Sequence, residues 1–144
     1  MNKNNLGCSC LSTVMLSGPS VVDLNQLSEP WLDLTCSFLY VRQEYKELDI
    51  KWYFSAEEEP FLQWVPSSSN SPQTIGHRFR NRLTVSDRSS NASNTEFKIA
   101  QKVRVERPSV HLSGQYTCKV ATFFSEKNSS HNLLIFGKQF YAIS

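Results

Sequence analysis

The chain of 144 residues is long enough for one domain with its own core and too short for two. Hydrophobic residues at 40% and charged residues at 19% describe a globular chain rather than a disordered one, and no run of 18 apolar residues is present to cross a membrane. A net charge of +2 argues for neither nucleic acid nor a membrane surface, and five glycines are too few for a phosphate-cradling loop besides ordinary turns.

Residues 1–18 read as a candidate leader or a disordered N-terminus, with Lys3 as a thin positive start and residues 6–16 as an h-region. That h-region is weak, because Gly7, Ser9, Ser12 and Thr13 interrupt it, and no A-x-A-like cleavage site follows. Cys8 and Cys10 are too close to bridge each other readily, and two thiolates do not complete a zinc site, so they are read as leader or free cysteines. After them, helical periodicity is nearly absent. Short segments rich in Val, Ile, Phe, Tyr, Thr and Trp alternate with polar turns. Strands are predicted over 21–24, 31–40, 49–55, 61–65, 82–86, 96–105, 115–124 and 132–136, with 96–105 interrupted near Ala100 and Gln101. Residues 139–144 form a tail without an anchor or lipidation box.

Eight short strands separated by turns predict an all-β sandwich or barrel. Strand alternation puts Leu32, Leu34, Cys36 and Phe38 on one face, and Ile50, Trp52 and Phe54 on another. In the segment 115–124 it puts Tyr116, Cys118 and Val120 together. Cys36 and Cys118 lie 82 residues apart, and a disulfide closing that loop would be worth about 4.5 kcal/mol in the chain-entropy model. The Cys36, Trp52, Cys118 series, with Tyr116 two residues before the second cysteine, resembles the immunoglobulin pattern. The run L-S-G-Q-Y-T-C (112–118) is similar to the family's D-x-G-x-Y-x-C. The resemblance implies a variable-type antiparallel β-sandwich over residues 19–138, a Cys36–Cys118 disulfide between its sheets, Trp52 packed on that disulfide, and Tyr116 in a tyrosine corner.

Departures from the pattern are visible too. Leu112 stands where the family has Asp, so Arg82 is expected to be left without its usual partner. Trp52 follows Cys36 by 16 residues, which predicts an extended loop over 41–48. No G-x-G follows the last strand, where only Gly137 is present. The phrases K-W-Y-F (51–54), P-F-L-Q-W-V-P (60–66) and L-S-G-Q-Y-T-C (112–118) resemble arthropod immunoglobulin proteins of the beaten-path type. Those are secreted or membrane-tethered recognition proteins, many with a second immunoglobulin-like domain.

Catalysis finds no support. His77, His111 and His131 belong to no H-E-x-x-H or G-x-S-x-G motif, and His111 and His131 are expected at the surface. Glu57, Glu58 and Glu59 are like charges in a tight turn, where they prefer water. No cofactor, metal or enzymatic activity is expected. The inward position of Trp52 sends Lys51 and Tyr53 outward, and that of Cys118 sends Lys119, Ala121 and Phe123 outward beside them. Trp64 on the next strand extends this surface. Aromatic anchors among basic neighbours suit an interface core, so this C, F, G and C′ sheet face (49–55, 115–124, 132–136 and 61–65) is expected to bind another extracellular protein, an immunoglobulin-type receptor in the first instance. The alternative is a soluble factor that grips a sulfated glycan with Arg78, Arg80 and Arg82, which share one face if they are strand residues. Sequons at Asn91 and Asn128, together with the long-range cysteine pair, favour an extracellular, secreted or surface-associated glycoprotein, with adhesion as its setting.

Overall fold

The computed structural model describes residues 11–138. Cys8, Cys10, the start of the candidate leader and the tail 139–144 lie outside the described residues. Ten strands are formed within them: β1 (Ser12–Ser17), β2 (Val21–Asp23), β3 (Trp31–Val41), β4 (Asp49–Phe54), β5 (Leu62–Trp64), β6 (Gln73–Thr74), β7 (Leu83–Asn91), β8 (Glu96–Glu106), β9 (Gly114–Ala121) and β10 (Glu126–Phe136). They make a four-stranded sheet in the order β1-β3-β8-β7 and a six-stranded sheet in the order β2-β10-β9-β4-β5-β6. All pairings are antiparallel except that of β2 with β10, which is parallel. This is the variable-type immunoglobulin sandwich that the cysteine and tryptophan spacing implies.

Alternation builds the core. Along β3 every second side chain from Leu32 to Tyr40 is buried, and along β4 the same holds for Ile50, Trp52 and Phe54. These faces meet Ile99, Gln101, Val103 and Val105 of β8 and Tyr116, Cys118 and Val120 of β9. Cys36 and Cys118 are disulfide-bonded across the sandwich, with their Cα atoms 6.3 Å apart. Trp52 is fully buried, and it pairs laterally with Cys118. The Tyr116 hydroxyl donates to the Leu112 carbonyl at 2.6 Å, so the tyrosine corner forms although Leu112 replaces the acid. A second aromatic group gathers Phe54, Phe61 and Phe79 around the Tyr116 ring.

Several boundaries differ from the sequence reading. Residues 12–17, read as part of a candidate leader or disordered N-terminus, form β1: Leu11 and Leu16 enter the core, and the strand pairs with β3. The chain then crosses to the other sheet at Gly18, where a Cβ would lie 2.5 Å from Leu34 Cδ2. The extended loop over 41–48 is a 3-10 helix, Arg42–Glu47, in which Glu44 accepts from the Val41 amide at 2.9 Å. β8 runs without interruption through Ala100 and Gln101, because β3 and β7 pair with it on both sides. β10 begins six residues earlier than the predicted 132, since residues 126–133 complete a long hairpin with β9.

Arg82 does not lack a partner. It precedes β7, and its guanidinium donates to the Arg107 carbonyl, while the Arg107 guanidinium donates to the Asn81 carbonyl at 2.8 Å. Arg82 thus holds the Arg107 carbonyl while Arg107 holds the carbonyl of Asn81, the residue before Arg82, and the two strand ends are clasped together. Burial, and then the neighbouring Arg107 charge, lowers the pKa of Arg82.

Candidate recognition surface

The outer face of the six-stranded sheet is set by register. Lys51 of β4 lies between Lys119 of β9 and Gln63 of β5, and Lys119 in turn lies beside Asn128 of β10. One residue pair along, Tyr53 flanks Thr117, and Thr117 flanks Ser130. In the other direction Asp49, Ala121 and Glu126 form the next row. Lys51, Tyr53, Lys119 and Ala121 therefore share this face, as expected, and each is partly exposed.

The chemistry of the face is more polar than an aromatic anchor site. The Lys119 ammonium sits 5.0 Å from the Tyr53 ring centre and 3.4 Å from Glu126. Lys51 lies 3.8 Å from Asp49, which also accepts from Gln63 at 3.0 Å. Both lysines thus have acidic neighbours, and such exposed pairs contribute little energy.

Two of the expected contact residues lie elsewhere. Trp64 points into the core and is only 8% exposed. In the three-residue strand β5 the inward positions are Leu62 and Trp64, so Gln63 faces outward. Phe123 is not on a strand: β9 ends at Ala121, and residues 122–125 turn the chain into β10, closed by the Thr122 amide donating to the Ser125 carbonyl at 2.8 Å. Phe123 and Phe124 project from this hairpin tip, 77% and 86% exposed. The Phe123 amide donates to Glu47 Oε1 at 3.1 Å, tying the tip to the end of the 3-10 helix. Sequence reasoning missed Phe124. Its signal was the adjacent pair itself, since alternation can bury only one of two neighbours.

The same end of the sandwich holds an unanticipated cavity of about 370 Å³ lined by Tyr40, Arg42, Tyr45, Lys46 and Phe97. Tyr40 stacks at 6.0 Å from Tyr45 and 5.7 Å from Phe97, and the Arg42 guanidinium lies 5.4 Å over the Phe97 ring. Burial raises the pKa of the Tyr40 hydroxyl.

The three arginines do not form one face. Residues 78–82 are a turn that inserts Phe79, fully buried, into the core. Arg78 pairs with Glu57, its Nε donating at 3.1 Å, and lies 4.7 Å over Phe54, while Arg82 is engaged with Arg107. Arg80 is exposed at the same turn. Among the histidines, His77 and His111 are exposed, but His131 is half-buried, its Nε2 2.9 Å from the Pro19 carbonyl. Asn91 ends β7 and Asn128 lies in β10, and both are exposed. Among the described residues no group of three His, Cys, Asp or Glu side chains could hold a metal ion, and no helix is long and apolar enough to cross a membrane.

No protein-family model matches the sequence, and comparison with curated proteins finds no match. Among solved structures the fold is similar to that of the human B7-H4 IgV-like domain, with a TM-score of 0.54 and 12% identity. The match covers 87% of this chain and 98% of that domain. At this identity the likeness is one of fold, and it agrees with the two sheets and the disulfide described above.

Proposed function

We propose that the domain is an extracellular recognition module that binds another protein with the β9–β10 hairpin tip as its anchor. The observation that carries this reading is the pair Phe123 and Phe124, held in water at the end of the β9–β10 hairpin, with the Phe123 amide tied to the Glu47 side chain. Two adjacent exposed aromatics are costly to leave solvated, and aromatic residues supply a disproportionate share of interface energy. Ala121, at the end of β9, is the expected sheet-face contact residue nearest the tip, and Lys51 and Lys119, then Tyr53, lie progressively further along the sheet. The disulfide supports an oxidising compartment and so a partner outside the cell. An immunoglobulin-type ectodomain is the first partner class to examine, given the fold likeness to an IgV-like domain. The beaten-path resemblance rests on the sequence phrases quoted above. A sulfated-glycan site at Arg78, Arg80 and Arg82 has lost its premise of a shared face.

The test is a screen of the multimerised domain against a panel of extracellular domains, repeated with Phe123→Ala and Phe124→Ala. Multimerisation raises weak single-site binding into a detectable range. Each substitution is expected to weaken a genuine hit by about 10-fold or more, the equivalent of a good aromatic anchor, without lowering the melting temperature. Hits that both variants bind normally would move recognition away from the tip.

A further inference from the structure

Two expectations drawn separately from the sequence meet at one place in the fold. Asn128 opens the sequon Asn128-Ser129-Ser130, and β10 puts its side chain on the outer face of the six-stranded sheet, directly beside Lys119 and one strand further from Lys51. The sequon's Ser130 shares that face, its hydroxyl 2.8 Å from that of Thr117. Ser129, between them, faces the other way and accepts from the Leu16 amide at 3.0 Å. Neighbouring strands are about 5 Å apart, so a group attached at Asn128 starts about 5 Å from Lys119 and about 10 Å from Lys51.

We infer that Asn128 carries an N-linked glycan that covers the centre of this sheet face, so that a partner engages the domain end-on, at the hairpin tip, and not across the sheet. The glycan is bulky and hydrophilic, and a flat protein surface laid over Lys51, Lys119 and Tyr53 would have to displace it. The polar make-up of the face fits this role: paired charges and amides keep it soluble under sugar, whereas the exposed aromatics are gathered at residues 123 and 124, beyond the end of β9. Asn91 lies in the other sheet, at the end of β7, where a glycan would leave both the tip and this face open. The end-on consequence rests on the recognition reading above; the covering of the face does not.

The experiment uses the full chain secreted from eukaryotic cells, with Ser130→Ala and Asn128→Gln to remove the sequon and Ser130→Thr to preserve it. Glycopeptide mass mapping is expected to find Asn128 occupied in the unaltered and Ser130→Thr proteins. An amine-reactive polyethylene glycol should then modify Lys119 and Lys51 several-fold more slowly in those two proteins than in the sequon-less pair. Lys98 and Lys102, exposed on β8 of the opposite sheet, should react equally in all four. An unmodified Asn128, or equal labelling of Lys119 with and without the sequon, overturns the proposal. Tip-dependent binding that survives in Ser130→Ala supports end-on engagement. Loss of the recognition reading itself would show only in Phe123→Ala and Phe124→Ala, leaving occupancy and labelling unchanged.

Discussion

The Trp52 indole donates to Gln101 Oε1 at 2.7 Å, bridging the two sheets alongside the disulfide. The register explains the arrangement: Gln101 is the lateral partner of Cys36, and Trp52 is the lateral partner of Cys118. The core thus has two adjacent cross-sheet links, one covalent and one polar. Gln101 is fully buried, and its Nε2 finds no hydrogen-bond partner. Gln101→Leu should remove that unsatisfied group but leave the indole N–H without an acceptor. The second effect is expected to win, lowering stability by about 1–2 kcal/mol in urea unfolding. A stabilised variant would show that the buried amide outweighs its bond.

The disulfide itself should matter more. Replacing Cys36 and Cys118 by Ala is expected to cost about 2–5 kcal/mol, because the closed loop constrains so much of the unfolded chain. Denaturant titration of the double variant, or of the reduced protein, checks this. An unchanged midpoint would leave Trp52 and its neighbours as the sole tie between the sheets.

Tyr116→Phe should cost about 1–2 kcal/mol through the lost bond to the Leu112 carbonyl. The same hydroxyl makes stability pH-dependent. Burial raises its pKa in the folded state, so the folded protein holds the proton to a higher pH than the unfolded chain, whose tyrosine ionises near about 10. Stability is therefore full below that value and falls as pH rises above it. Melting curves between pH 9 and 11 should show a steeper alkaline loss for the unaltered protein than for Tyr116→Phe. Tyr40, also raised by burial, contributes a decline of the same sign that remains in the variant.

Arg82→Ala should destabilise the domain by about 1 kcal/mol, since it leaves the Arg107 carbonyl without its donor. Arg80→Ala, at an exposed turn, should stay within about 0.5 kcal/mol of the unaltered protein. Equal effects in thermal unfolding would argue against the clasp.

Gly114 precedes the buried Tyr116 on β9, and a Cβ there would lie 2.8 Å from Ser55 Oγ and 3.1 Å from the Phe54 ring. Gly114→Ala should force Phe54 to shift and lower stability by about 1–3 kcal/mol, the range for overpacking. A near-neutral result in the same unfolding assay would mean that the Phe54 side chain yields freely.

The centre of the sandwich was legible in the sequence because Cys36, Trp52, Tyr116 and Cys118 sit in segments whose two-residue alternation leaves one choice of inner face. Legibility failed where that rule has too little chain to act on. Phe61 and Leu62 are both buried, so alternation breaks just before β5 and a reading that starts from Phe61 turns Trp64 outward. The alternating arginines at 78, 80 and 82 mimic a strand, yet the anchoring of Phe79 beside Phe61, ring centres 4.2 Å apart, bends the segment into a turn. The β9–β10 hairpin turns through Thr122, Phe123, Phe124 and Ser125, without a Gly, Pro, Asn or Asp to announce it. Residues 12–17 mix Val14, Met15 and Leu16 with Ser and Thr, which reads as a weak h-region, and their pairing with β3 makes them a strand.

The parallel pairing of β2 with β10, the single one among the described residues, has a mechanical consequence. The chain passes from β1 through Gly18 into β2, whose end lies beside the end of β10: the Leu134 amide donates to the Ser20 carbonyl at 2.9 Å and the Leu24 amide to the Phe136 carbonyl at 2.8 Å. Tension between residues 18 and 138 pulls β2 and β10 past each other along their common axis. Their hydrogen bonds are then loaded together in shear, rather than opened one after another as at the fraying end of a hairpin. A domain strung this way resists stretching through its short first strands, and its lifetime under load is set by the rate at which that ladder slips.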